Sequence, residues 1–418
     1  MDLEVVTVGT ELLLGFTVDS NSAEIGRQLA TVGVRVARRT SVADDAEAIR
    51  DAVGAALRRS RVVLITGGLG PTRDDITKHT VAGLFEVPLE FRDEIWQELV
   101  ERWARLGRRL AEANRTQAMV PRGATVLPNR WGTAPGLWLK GGPGLAIMLP
   151  GVPREMRGLL EHEVVPRLGS QSGGRVIRSR TLRTTGIPES SLSDRIGPIE
   201  GELAPVTLAY LPSLEGVDLR VTCWDTEPAE ADRRLAAAMG RLRQAAGSHV
   251  YGEEEADLAA VVLEVARSAA RTIAVAESCT GGLVGGRLTA VPGSSDVFLG
   301  GVIAYHNEAK RALLGVPADV LDREGAVSEA TARLMAEGAA RRLGASAAVA
   351  VTGIAGPSGG SPEKPVGTIC FATTVGGATQ SSRTILPGER YDIRARATQL
   401  ALHLLLGRLR AGEDRAPR

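Results

Sequence analysis

Four short apolar runs are each followed at once by a loop carrying glycine. Leu3–Val8 leads into Gly9-Thr10-Glu11, and Val62–Thr66 into Gly67-Gly68. Thr272–Ala276 leads into Glu277-Ser278-Cys279-Thr280-Gly281-Gly282, and Ala347–Val351 into Thr352-Gly353-Ile354-Ala355-Gly356-Pro357. Runs of this length read as buried strands, and helical patterns lie between them. Ile25 and Leu29 recur behind the capping residues Asp19–Ser22, and Ala46, Ile49, Val53 and Leu57 behind Asp44-Asp45. Strands alternating with helices give an α/β chain with a mostly parallel sheet, whose ligand loops follow the carboxyl ends of the strands.

The alternation is interrupted once. Between 170 and 252 the pattern gives strands at Arg175–Thr184, Thr207–Leu211 and Val217–Cys223 and helices at Leu192–Ile196 and Ala229–Ala246, a small α+β module. The stretch Gly247–Glu255 reads as a linker. The predicted organisation is therefore a first domain over 1–168, the α+β module over 170–252, a second α/β domain over 253–410 and a disordered tail over 411–418. The spacing also predicts one helical stretch across Asp93–Asn114.

Composition narrows the function classes. A chain of 418 residues with 44% hydrophobic content has ample material for several cores. Its net charge of +1 leaves no global footprint for nucleic acid or a membrane surface. No apolar run has the length of a membrane span, and acids stand near the start where a signal peptide needs cations, so a cytoplasmic protein is expected. Cys223, Cys279 and Cys370 are too scattered for a disulfide framework or a zinc site. Only four of the 50 basic residues are lysine, namely Lys78, Lys140, Lys310 and Lys364. A lysine in such a chain stands out, because lysine can lose its proton when desolvated and arginine cannot.

Two loop clusters carry candidate chemistry. The segment Thr66-Gly67-Gly68-Leu69-Gly70-Pro71-Thr72-Arg73-Asp74-Asp75 is neither a Walker A loop nor a GxGxxG turn. Its glycines let backbone N–H groups approach an anion, and Asp74 and Asp75 suit a hard metal that bridges phosphate oxygens. The plainer reading is a tight turn in which one aspartate caps the next helix. Gly9-Thr10-Glu11, the glycine- and proline-rich stretch 129–136 and the loop from Pro150 and Gly151 to Met156 favour a site built from several loops. In the second α/β domain, Ser294 and Ser295 lie at a turn and Lys310 follows across one strand. A Ser–Lys pair performs acyl transfer once burial lowers the lysine pKa. Tyr305 stands where it can orient such a pair, and Cys279, at a strand-to-helix turn, is a rival nucleophile.

The combination VGTELLLG, DSN, TGGLGPTRDD, GTAPG and PGVPREM resembles the amino-terminal domain of the CinA family, the competence/damage-inducible proteins. The motifs AESCTGG, PGSS, AYHNEAK, GAVSE and TGIAGPSGGSPEKPVGT resemble the family's carboxy-terminal domain and the stand-alone PncC-type nicotinamide mononucleotide (NMN) deamidases. The resemblance implies a molybdopterin-binding-like first domain that hydrolyses ADP-ribose to AMP and ribose 5-phosphate with Mg, Mn or Co. It also implies a KH-type middle domain, here without an evident GXXG clamp, and a cofactor-free deamidase at the carboxy terminus.

Carried over by position, Ser295 is the nucleophile, Lys310 its base, and Tyr305 and Ser278 their support. Thr280, Gly281, Thr352, Gly353, Ala355, Gly356 and Arg390 would hold the nucleotide, with Arg394 as the alternative phosphate ligand. In the first domain Gly9, Thr10, Glu11, Asn21, Gly67, Gly68, Gly70, Thr72, Pro150 and Gly151 would hold substrate, and Asp74 and Asp75 the metal. A homodimer is expected, and direct nucleic-acid binding is not. The family's name leaves a DNA-uptake or repair accessory protein, acting through a protein partner or DNA binding, as the alternative role, and molybdopterin handling by the first domain as a third.

Overall fold

The computed structural model describes residues 1–105 and 107–413. It forms two compact units, Met1–Arg178 with Cys223–Arg234, and Ser179–Thr222 with Leu235–Arg418. Its strands in the first unit are β1 (Asp2–Val8), β2 (Arg35–Val42), β3 (Val62–Thr66), β4 (Leu89–Phe91), β5 (Met119–Pro121), β6 (Thr125–Leu127), β7 (Gly136–Gly141) and β8 (Gly144–Leu149). Six of these form one sheet in the order β2-β1-β3-β8-β7-β6, while β4 and β5 make a separate ribbon. The pairs β1–β2, β1–β3 and β3–β8 are parallel, and β7 turns back antiparallel on β8. Alternate residues supply two cores. Val6, Val8, Val63 and Ile65 face one side with the helix Ala46–Ser60, and Leu3, Val5 and Leu64 face the other with Ser20–Ala30 and Leu159.

The middle sheet takes the order β10-β11-β9-β12, from β9 (Val176–Thr184), β10 (Thr207–Pro212), β11 (Val217–Thr226) and β12 (Val250–Glu253). The last sheet has the order β14-β13-β15-β16-β17, from β13 (Ile273–Glu277), β14 (Phe298–Ile303), β15 (Ala347–Gly353), β16 (Thr368–Val375) and β17 (Ala378–Ile385). β13 is parallel to both β14 and β15, and β15, β16 and β17 form an antiparallel meander. One face is made of Ala274, Ala276, Ala348, Ala350 and Ala372, small enough for the helix Glu329–Leu343 to pack closely. The other carries Val275, Val349, Val351 and Phe371 under the helices Leu258–Ser268 and Arg390–Glu413.

Several expectations are corrected. The stretch Gly247–Glu255 is no linker: Val250–Glu253 pairs antiparallel with β9, and Val250 and Tyr251 are buried. The helix from Asp93 ends at Arg105, the chain turns at Gly107, and a separate 3-10 segment spans Glu112–Ala118. The first sheet is mostly parallel, with β7 and β6 antiparallel at one end, whereas in the last sheet two of the four pairings, those of β16, are antiparallel. Residues 411–413 continue the last helix, and the rest of the expected tail lies outside the described residues.

The loops sit where the topology puts them. In each α/β sheet the first strand has its successor on one side and the third on the other, in the orders β2-β1-β3 and β14-β13-β15. The loops leaving the carboxyl ends of the two central strands then diverge and open a crevice. In the first unit Gly67 lines that crevice with φ +109°, and a Cβ there would stand 2.1 Å from the Val8 carbonyl oxygen. Gly67→Ala is expected to destabilise the unit by roughly 2 kcal/mol or more, through strain and collision together. Thermal denaturation of the variant beside the parent chain measures this.

Candidate functional site

In the carboxy-terminal domain the crevice lies between β13 and β15. Glu277 ends β13 and is 1% exposed. Its carboxylate accepts from the backbone N–H groups of Gly282 (2.9 Å), Val284 (3.2 Å) and Gly285 (2.8 Å). The loop Ser278–Gly282 is thereby folded back over the strand end, and the helix Leu283–Thr289 starts on a carboxylate. Arg394 ties down the same loop, donating from Nε to the Cys279 carbonyl (3.0 Å) and from Nη2 to that of Thr280 (2.9 Å).

Lys310 enters from the helix Asn307–Leu314, whose first turn His306 caps. It is 1% exposed. Its Nζ lies 3.2 Å from Ser278 Oγ, 3.0 Å from the Ala304 carbonyl and 3.3 Å from the Tyr305 carbonyl, donating to each. No carboxylate neutralises it among these partners. Burial pushes the amine below the ordinary lysine value, against a weaker opposing pull from Cys279. Once a proton is lost, the amine keeps two N–H bonds for the two carbonyls, and its lone pair accepts from the Ser278 hydroxyl in place of the donation to it. Tyr305 projects outward, 62% exposed, and its hydroxyl accepts from Arg390 Nη2 at 3.1 Å. Arg390 Nη1 donates to the Gly356 carbonyl at 2.7 Å, so this arginine joins the loops after β14 and β15.

The pairing of Ser295 with Lys310 is not what the fold assembles. Ser295 lies in the turn Ser294–Asp296 that precedes β14, whereas Lys310 follows that strand. At the near end Ile273 N–H meets the Val297 carbonyl, and at the far end Ala304 N–H meets that of Glu277. Six strand residues separate the two ends, about 20 Å. Ser295 is exposed, and its neighbour Asp296 is bound to Arg267. Ser278, expected only as support, is the serine at the amine.

Two other expectations change. Thr352 is 1% exposed and its hydroxyl is spent on the Ala326 carbonyl at 2.7 Å, while Thr280 is fully buried with its Oγ1 unpartnered. Gly281, Ala355 and Gly356 do lie in the loops that flank it, and Gly353 ends β15. Cys279 is 5% exposed, and burial pushes its thiol up to about 12, so no thiolate forms near neutral pH. Glu277 was missed as the loop's anchor. Its signal was an acid at the end of an apolar strand, immediately before Ser278 and four residues before a Gly-Gly.

In the amino-terminal domain the crevice lies between β1 and β3. Asn21 Nδ2 donates to the Gly151 carbonyl (2.7 Å) and to Thr66 Oγ1 (3.3 Å), and Thr66 Oγ1 donates to the Pro150 carbonyl (3.0 Å). Thr10 donates through N (2.9 Å) and Oγ1 (3.0 Å) to Asp44, an acid the sequence marked only as a helix opener. Glu11 folds back over Gly9, and Gly68 lies against Thr77. Asp75 Oδ2 accepts from the Thr72 N–H at 2.8 Å and also from its hydroxyl. A Cβ on Gly70 would stand 2.5 Å from that oxygen, so the glycine makes room for the carboxylate. Neither aspartate caps the helix Thr77–Leu84, whose first residue follows Ile76 without a side-chain cap. Among the described residues no three His, Cys, Asp or Glu side chains stand together as a metal cage. Two adjacent carboxylates beside glycine amides fit a hard cation that takes its other ligands from phosphate and water.

Three family descriptions match in succession: "Probable molybdopterin binding domain" over residues 4–170, "Damage-inducible protein CinA KH domain" over 179–252 and "CinA C-terminal domain" over 255–409. A CinA-like protein of Gemmatimonas aurantiaca is 51% identical over 97% of this chain and 96% of its own. One from Dictyoglomus thermophilum is 40% identical over 97% and 98%. The chain belongs to the CinA family. Its architecture is the family's three domains, molybdopterin-binding-like, KH-like and CinA carboxy-terminal. A solved competence/damage-inducible protein from Agrobacterium tumefaciens matches at 43% identity, covering 36% of this chain and 92% of its own, with a TM-score of 0.35.

The state of Cys279 is testable apart from any activity. An alkylating reagent near neutral pH is expected to leave Cys279 of the native CinA chain unmodified and to label it after denaturation, read by peptide mass.

Proposed function

We propose that the carboxy-terminal domain of this CinA chain hydrolyses the carboxamide of NMN to nicotinic acid mononucleotide and ammonia, with Ser278 as nucleophile and Lys310 as general base. The observation that carries this reading is the buried Nζ, 3.2 Å from Ser278 Oγ, with two backbone carbonyls as its other partners. Ser278 Oγ attacks the carboxamide carbon while its proton passes to the Lys310 lone pair. The C–N bond breaks as that proton moves to the departing nitrogen, which leaves as ammonia. Water then attacks the acyl ester, gives its proton to Lys310, and Ser278 recovers it as the acid is released. The positive pyridinium ring of NMN further disfavours a charged amine beside it. Arg390, held at the mouth by Tyr305 and Gly356, supplies a cation for the phosphate.

For the amino-terminal domain we propose hydrolysis of the ADP-ribose pyrophosphate to AMP and ribose 5-phosphate. Asp74 and Asp75 would hold a divalent cation, which when bound neutralises charge on the pyrophosphate oxygens. The glycine amides of the loop after β3 orient the anion. A DNA-binding role draws little support from the middle module. There Arg175, Arg178, Arg180 and Arg183 pair with Asp225, Asp232, Glu253 and Asp218, leaving no row of unpaired cations for phosphates on β9.

Ammonia release from NMN tests the first reading. Ser278→Ala is expected to abolish it, and Ser295→Ala to leave it within about threefold. Lys310→Arg is expected to reduce turnover at least about 10²-fold in folded protein, since arginine stays charged. In the parent chain the rate rises with pH as the amine loses its proton, with a midpoint below the ordinary lysine value, because burial lowers that pKa. An active Ser278→Ala or Lys310→Arg overturns the dyad. For the second reading, chelation and Asp75→Ala are each expected to stop ADP-ribose hydrolysis and to leave deamidation unchanged, measured by AMP and ammonia release from the same preparation.

A further inference from the structure

Away from both crevices, two of the five histidines stand together. His249 ends the 3-10 turn Gly247–His249 just before β12, and His403 lies on the helix Arg390–Glu413. Their rings stack with centroids 5.9 Å apart and planes 17° from parallel. The chain leaving β9 closes over them. A Cβ on Gly186 would stand 2.5 Å from His403 Cδ2, so backbone lies directly on that ring. His249 Nδ1 lies 3.1 Å from the Thr185 carbonyl, and Thr185 N–H donates to the His249 carbonyl at 3.0 Å. Beside the stack Arg410 Nη1 donates to the Val250 carbonyl at 3.1 Å. The two rings therefore sit inside the contact by which residues 184–186 and the start of β12 rest on the last helix.

Both rings are placed to be neutral. A carbonyl only accepts, so His249 Nδ1 carries the hydrogen and its Nε2 keeps the lone pair. His403 Nδ1 is buried without a partner. A neutral ring can leave that nitrogen bare, whereas an imidazolium carries hydrogen on both nitrogens and would bury an unmatched donor. The charges that face the pair are cations. Arg195, from the helix Glu189–Glu200, acts on His249, and Arg410 acts on His403. Arg408 lines the same hollow as His403 and Ser248. Glu215, whose carbonyl accepts from the Thr185 hydroxyl at 2.6 Å, turns its carboxylate to Arg183 and Arg287. Among the described residues no carboxylate is paired with either ring. Burial, with these cations adding to it, pushes His403 down to about 4 and lowers His249 below the ordinary histidine value.

We propose that the His249–His403 stack is an acid-sensitive latch, which holds residues 184–186 and β12 on the last helix while both rings are neutral and releases them when either ring takes a proton. The latch rests on neither proposed activity. An exposed histidine takes its proton near about pH 6.5, and the latched rings take theirs lower. The latch is therefore complete above about pH 6.5 and weakens steadily as the pH falls below that value. The same helix carries Arg394, which ties down the Ser278 loop, so release acts on an element that the carboxy-terminal crevice shares.

Hydrogen exchange of the full-length chain at about pH 7.5 and about pH 5, resolved by peptide and corrected for the intrinsic rate, tests this. Peptides over 184–186 and 248–253 are expected to exchange at least about tenfold faster at the lower pH, while those over β13 and β15 keep their protection. In the double variant His249→Gln, His403→Gln the change at the same peptides is expected to stay within about twofold. Should that variant fail to fold, His403→Phe, uncharged and ring-shaped, takes its place and is expected to lose most of the acid response. Equal protection of the parent at the two pH values overturns the latch. Opening by acid that persists in the glutamine or phenylalanine variant overturns it too, and assigns the response to other groups.

Discussion

The amine of Lys310 is held out of water by two carbonyls and a hydroxyl, and the carboxy-terminal domain is arranged around that contact. A buried ammonium is tolerated when a carboxylate stands against it. Here the nearest candidate in sequence, Glu277, has its oxygens taken by three backbone amides. That carboxylate holds the serine loop in place, and the amine is left with neutral partners. Desolvation then acts unopposed by any strong ion pair, and the proton-free form becomes accessible. Had Glu277 turned toward Lys310, the pair would have locked the lysine charged and released the loop. Separating the buried acid from the buried amine leaves the amine without an ion pair and the Ser278 loop anchored.

The two α/β domains solve the placement of a site in one way and its chemistry in two. Each puts its first strand between its second and third parallel strands, so each has one topological switch. The loops that diverge there, after β1 and β3 and after β13 and β15, carry much of each candidate site, and Asn21, Lys310 and Arg390 reach it from neighbouring helices. In the carboxy-terminal domain this position receives a lysine from a helix and a serine from a loop, a combination suited to covalent chemistry on a neutral carboxamide. In the amino-terminal domain it receives glycine amides and carboxylates, suited to an anion shared with a cation. The difference lies in the loops alone, which is why the sheets by themselves are silent about substrate.

Much of this was legible in the sequence for a physical reason. Parallel strands buried on both faces leave continuous apolar runs, and glycine must follow where the chain approaches itself, as at Gly67 against Val8. Edge and antiparallel strands leave weaker traces. β2 continues through Arg38 and Arg39 because an edge strand with one wet face tolerates charge, and β12 was hidden in a stretch of glycine and acids. The choice between Ser278 and Ser295 was not legible. Both serines flank the same βα unit, and sequence spacing from Lys310 favours the nearer one. Only the direction of β14 shows that the nearer serine sits at the opposite end of the sheet.

The rarity of lysine carried real information, though not uniformly. Lys140 is exposed, and Lys364 reaches the Glu324 carbonyl at 2.8 Å from a partly exposed position, both places an arginine could take. Lys78 and Lys310 are different, at 2% and 1% exposed. Burial pushes Lys78 down to about 8, and its Nζ donates to the Thr116 carbonyl. A guanidinium at either place would bring five donors into a space that offers one to three acceptors, and it could not shed its charge to lower the penalty. In a chain that uses arginine for almost every cation, a buried lysine persists because one compact nitrogen can be left neutral. At position 310 that compact nitrogen faces a serine hydroxyl, which under the proposed deamidation turns a packing constraint into a proton acceptor.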